Sequence, residues 1–92
     1  MRRTLAFALL SCSLGVWAGE QGAVLASQCY QCHGPNGVSK GEIDSIKGRS
    51  YSDLSGDMME FKQSSTNGIM QRQAKIYTDA ELRLIADYIS TH

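Results

Sequence analysis

The stretch Cys29-Tyr30-Gln31-Cys32-His33 decides the reading of this chain. Two cysteines three positions apart share one helical turn, and a histidine follows at once. This is C-x-x-C-H, the attachment pattern of c-type haem. The spacing has a physical reason. Each thiol can reach one vinyl group of a porphyrin, and His33 then projects onto the iron. Three other readings draw on the same residues. A zinc site needs four ligands, and beyond the leader described below only Cys29, Cys32, His33 and His92 are on offer. A thioredoxin-type pair needs a βαβ setting, and no strand alternation surrounds the motif. A plain disulfide leaves the histidine without a role. Haem attachment uses all three side chains.

Working outward toward the N-terminus, Met1-Arg2-Arg3 is a positively charged start, and Leu5 to Leu14 is a mostly apolar run. Val16-Trp17-Ala18 places Val and Ala at the −3 and −1 positions of a cleavage after Ala18. Charge, apolar stretch and small-residue site are the order of a secretory signal peptide. The apolar stretch falls short of the roughly 18–20 residues of a spanning helix. Leu9-Leu10-Ser11-Cys12 also resembles a lipobox, but the residues after Cys12 stay apolar. The reading is therefore a signal peptide over residues 1–18, a domain over residues 19–92, and export to the periplasm. No stable membrane insertion of the mature chain is expected. In an oxidising compartment, paired cysteines would otherwise form a disulfide.

The 92 residues balance nine Lys+Arg against nine Asp+Glu. A nucleic-acid binder would carry a basic surplus, so that class is excluded. Of the apolar residues, 12 fall within residues 1–18 and 27 within residues 19–92. Setting aside five Ala and two Cys, the second segment has 20 large apolar side chains. A chain of this size is marginal on burial alone and needs a staple. A covalent haem would supply both the staple and the missing apolar mass.

The pattern reads as all-α. A first helix is expected over about 21–32, running into the haem motif. Residues 33–50 hold Gly34, Pro35, Asn36, Gly37, Gly41 and Gly48, which is turn chemistry. Ser50 can cap a second helix over about 51–63, with Asp53 in its first turn. Leu54, Met58 and Phe61 then form one apolar stripe, with Met59 on the opposite face. Residues 64–77 read as a polar loop. Thr78-Asp79-Ala80-Glu81 is a capping box. It opens a last helix whose buried stripe is Leu82, Ile85, Ala86 and Ile89.

A haem that carries electrons needs a second axial ligand, and in the cytochromes c this is usually a Met. Met58 and Met59 belong to the second helix. Met70, placed in a loop between two helices, has the freedom to wrap the far haem face. The ordinary alternative for any one Met is core filling. Arg72, Lys75 and Tyr77 are candidates for the haem edge or its propionates, with solvated loop residues as the plain alternative.

Together these residues resemble a class I cytochrome c: the motif at Cys29 to His33, Gly48, the Leu54/Met58/Phe61 helix, Met70, and the last helix ending Ala86-Asp87-Tyr88-Ile89. More narrowly, Phe61-Lys62 and the string Ile69-Met70-Gln71-Arg72-Gln73-Ala74-Lys75-Ile76-Tyr77 resemble the cytochrome subunit of flavocytochrome c sulfide dehydrogenases. The resemblance implies three main helices around one haem c, held through Cys29 and Cys32, with His33 and Met70 as axial ligands. It implies a carrier of single electrons with a sulfide-oxidising flavoprotein as partner. The alternatives are a free electron shuttle serving another redox protein, and a small-ligand haem sensor should Met70 not bind the iron. The chain departs from the family in three places. A loop proline whose carbonyl receives the proximal His is matched here by Glu42. An aromatic on the first helix is replaced by Leu25. Gly22 lies one place off the usual glycine. These departures predict a looser proximal loop and a looser crossing of the first and last helices.

Overall fold

The computed structural model describes residues 19–92. The expected signal peptide over residues 1–18, Cys12 included, lies outside the described residues. The architecture is all-α, and no strand occurs among the described residues. Helix α1 covers residues 19–33. A 3-10 turn at Pro35–Gly37 and an irregular loop follow. Helices α2 (Tyr51–Gln63), α3 (Ile69–Lys75) and α4 (Asp79–Thr91) complete the chain.

Helix α4 forms as its sequence dictates. The Thr78 side chain accepts from the Glu81 amide at 3.1 Å, and Glu81 accepts from the Thr78 amide at 2.9 Å. Two of the orphan donors at the helix start are thereby satisfied. Leu82, Ile85, Ala86 and Ile89 are all buried. Helix α2 starts where Ser50 caps the Asp53 amide at 3.2 Å. Arg49 bonds the carboxylates of both Asp53 and Asp57, and the guanidinium holds the Asp53 carboxyl below its ordinary value. Helix α2 packs on both α3 and α4. Leu54 is its one buried residue. Gly56, mid-helix, has nothing within 4 Å of where a Cβ would sit. Gly56→Ala is therefore expected to raise stability by about 0.5–1 kcal/mol, read by denaturant unfolding.

The structure revises three expectations. The segment over residues 64–77 is not a continuous loop, because Ile69–Lys75 forms α3. Its residues are mostly good helix formers, but Ile69 is 75% exposed, so no apolar stripe announces the helix. Met59 does not face away from the core. It packs against the buried cluster as Met58 does, since α2 is wedged between two other helices. The crossing of α1 and α4 is close rather than loose. Gly22 and Ala26, one turn apart, are both buried. A Cβ on Gly22 would lie 3.2 Å from the Leu84 carbonyl oxygen and 3.4 Å from Tyr88 Cβ. Small residues let the two backbones meet, and Leu25, half-buried, packs on the core where an aromatic was expected.

The core is thin. Among the described residues it consists of Ala26, Ile46, Leu54, Ala74, Tyr77, Leu82, Ile85, Ala86 and Ile89, of which only Leu82 and Ile85 are large and fully buried.

Candidate haem-binding site

Cys29, Cys32 and His33 occupy the last turn of α1, as the spacing required. Both thiols are free, Cys29 half-buried and Cys32 exposed. Burial pushes the Cys29 thiol above its ordinary value, and the adjacent Cys32 adds to the rise against an opposing backbone hydrogen bond. A raised thiol is less reactive as a free nucleophile than one held as thiolate. The helix ends at Gly34, whose amide donates to the Tyr30 carbonyl at 3.0 Å. Gly34 has φ 93° and ψ 164°, a conformation open in practice only to glycine.

The chain then turns through Pro35–Gly37, with Asn36 at φ 55° and Gly37 at φ 81°. The Gly37 carbonyl accepts from the amides of Ile46 and Lys47 at 2.8 and 3.1 Å. The Ser39 amide donates to Ser45 Oγ at 2.8 Å. These bonds fold the loop back over the end of α1. There His33 Nδ1 lies 2.7 Å from the Asp44 carbonyl oxygen. The acceptor expected from the family pattern was Glu42; the structure supplies Asp44 instead. The reason is register: Ile46 is buried in the core, and its anchoring fixes which carbonyl reaches the imidazole. The loop is pinned without the family's proline.

A carbonyl can only accept, so Nδ1 is the donor in this bond, and in the neutral imidazole Nε2 is the nitrogen left for a metal. Such a second partner sets the orientation and basicity of a metal-binding imidazole. His92 takes no part: its ring stacks on Tyr88 at 3.9 Å between centroids, and its Nδ1 bonds the Tyr88 carbonyl at 2.8 Å.

Met70 is the second residue of α3, half-buried, rather than a loop residue. Met58 and Met59 pack against the buried core cluster, whereas Met70 does not. Its thioether is therefore the one the described core does not use. Of the three residues considered for the haem edge, two have structural partners. Lys75 Nζ donates to the Ser64 carbonyl at 2.7 Å and the Phe61 carbonyl at 3.4 Å, closing the C-terminal end of α2. Tyr77 is buried, and its hydroxyl donates to Gln28 Oε1. Arg72 stays exposed.

The donor set fits haem c. Two free thiols stand at the required spacing beside an imidazole with an available Nε2, and a thioether lies off the core. The shortage of large buried side chains suits an added apolar plate. Asp44 and Gln28 escaped sequence reasoning, and Tyr77 was singled out for the haem edge rather than for its bond to Gln28. A backbone carbonyl leaves no mark in residue type, and a glutamine before the motif reads as solvated.

No family model matches the chain. Among curated proteins, the cytochrome subunit of sulfide dehydrogenase from Chlorobaculum tepidum is 41% identical over 70 residues, covering 75% of this chain and 64% of the relative. Cytochrome c-553 from Helicobacter pylori is 34% identical over 70 residues, covering 73% of each chain. The chain belongs to the family of small c-type cytochromes. Cytochrome c-553 from Nitratidesulfovibrio vulgaris extends the match to 90% of this cytochrome and 87% of its own length, at 28% identity. The cytochrome spans just under two thirds of the sulfide dehydrogenase subunit. Membership implies a covalently held haem c and a role in electron transfer rather than catalysis of its own. No helix among the described residues is long and apolar enough to cross a membrane.

Proposed function

We propose that this cytochrome accepts single electrons in the periplasm from the flavoprotein subunit of a sulfide dehydrogenase. In this reading residues 1–18 are removed on export. Cys29 and Cys32 hold the haem as thioethers, and His33 and Met70 are its axial ligands. The observation that carries the site is the 2.7 Å contact between His33 Nδ1 and the Asp44 carbonyl, which occupies one ring nitrogen and leaves Nε2 for a metal. The relative named as a sulfide dehydrogenase subunit supports the choice of partner.

When bound, haem supplies a one-electron couple. The residues around it do the rest. Cys29 and Cys32 fix its place against α1. His33 would keep one tautomer and one orientation through Asp44, which raises its basicity toward the iron. A thioether at Met70 favours the reduced state and raises the potential. With His33 and Met70 both held to the iron, oxygen or peroxide chemistry would find no open position there. Docking to the partner is expected to use a small contact, as in other redox encounters.

The two cytochrome c-553 relatives favour a second reading, a free shuttle serving several donors. Affinity purification of the haem-loaded cytochrome from its host decides between them. The subunit reading expects a flavoprotein to co-purify and sulfide to reduce the haem only in its presence. Reduction by several unrelated donors, with no stable partner, would assign the free shuttle.

A further inference from the structure

We infer that the Tyr77 hydroxyl positions Met70 by tying α3 to the motif-bearing end of α1. The inference rests on the reading of Met70 as the sixth ligand. Tyr77 is 6% exposed, and its oxygen sits at a junction. It donates to Gln28 Oε1 and receives Gln73 Nε2 at 3.4 Å. Gln28 directly precedes Cys29 on α1. Gln73 lies three residues beyond Met70 on α3, so the two share a helix face. The backbone fixes the phenol to the same helix end: the Ile76 amide donates to Gln73 and the Tyr77 amide to Ala74, at 3.2 and 3.3 Å.

Helix α3 is short and has no side-chain cap at its start. Its polar anchors run in two directions. Lys75 ties it to the end of α2 through Ser64 and Phe61. Tyr77 ties it to α1 through Gln28. The thioethers and His33 would fix the iron relative to α1, whereas Met70 rides on α3. The strength of the Met70–iron bond then depends on how firmly the two helices are spaced, and the phenol oxygen is the polar link between them. Removing that oxygen frees Met70 locally. Gln28 is exposed and Gln73 half-buried, so both amides can turn to water, and the whole fold loses little.

The test is displacement of Met70 from the ferric haem-loaded protein by added imidazole. Tyr77→Phe keeps the ring and its packing. It is expected to raise imidazole affinity about fivefold to tenfold, the equivalent of one hydrogen bond. Gln28→Ala should act likewise, and the double variant should exceed neither single by more than about twofold. Ile89→Val trims the same core from α4, which supplies none of the junction's hydrogen bonds. It should lower the unfolding midpoint and leave imidazole affinity unchanged. Wild-type affinity in Tyr77→Phe, or an equal rise in Ile89→Val, overturns the inference. Met70→Ala separates the two levels. If it leaves imidazole affinity unchanged, the ligand reading falls and this inference with it. If it raises affinity while Tyr77→Phe does not, only the inference falls.

Discussion

Gly34→Ala is expected to destabilise the cytochrome by about 3 kcal/mol or more. The residue sits at φ 93°, and a Cβ there would lie 1.8 Å from the Val38 carbonyl oxygen and 2.6 Å from its carbon. Those atoms cannot withdraw cheaply. The Val38 amide is bonded to Pro35 at 3.1 Å, and the Gly37 amide to Gly34 at 2.9 Å, so the turn would have to open. Opening it also frees the loop that brings Asp44 to His33. Against the typical 5–15 kcal/mol of a small domain, the loss is a large share. A fall in Tm of more than about 10 °C is expected, with a lower yield of haem-loaded protein. Gly41→Ala is the matched control, because nothing lies within 4 Å of its Cβ position. If thermal and denaturant unfolding place the Gly34 and Gly41 variants within about 1 kcal/mol of each other, the steric argument fails.

Met70→Ala is expected to leave the fold nearly intact and to change the haem. The side chain is half-buried and does not pack against the core cluster, so its truncation removes little burial. Loss of a thioether ligand lowers the preference for the reduced state. Axial ligands set haem potentials over about 0.8 V, and a fall of ~0.1 V or more is expected. The vacated position should also let the reduced protein bind carbon monoxide rapidly, where the parent binds it slowly. An unchanged potential removes Met70 from the iron. Rapid carbon monoxide binding by the parent itself would make the protein a small-ligand sensor rather than a carrier.

Helices α2 and α4 were legible because their starts are written in side chains. Ser50 with Asp53, and Thr78 with Glu81, mark helix entry by residue type and spacing, and the capping bonds follow from them. The stripe from Leu82 to Ile89 gives the buried face of α4 directly. Helix α3 offered neither signal. Gly68 precedes it without a capping side chain, and Ile69 and Ile76, at its two ends, are 75% and 69% exposed. Only its helix-forming composition could have revealed it. Met59 was misassigned because a single stripe assumes one packing partner, and α2 has two. At the candidate site, the motif at Cys29 to His33 put three side chains on one helix end, as its spacing demands. The partner of His33 was not legible. Which carbonyl reaches an imidazole depends on where Ile46 anchors the loop, a tertiary fact with no local signature.

The contact of Gly22 with α4 has a kinetic consequence. It joins the first and last described helices, so its loop-closure entropy is among the largest in the fold. The core at Leu82 and Ile85 cannot close until the last helix has emerged and docked. Until then the face of α1 at Gly22 lacks the Leu84 and Tyr88 surface that covers it. Assembly order is thereby written into topology: the first described helix waits on the last.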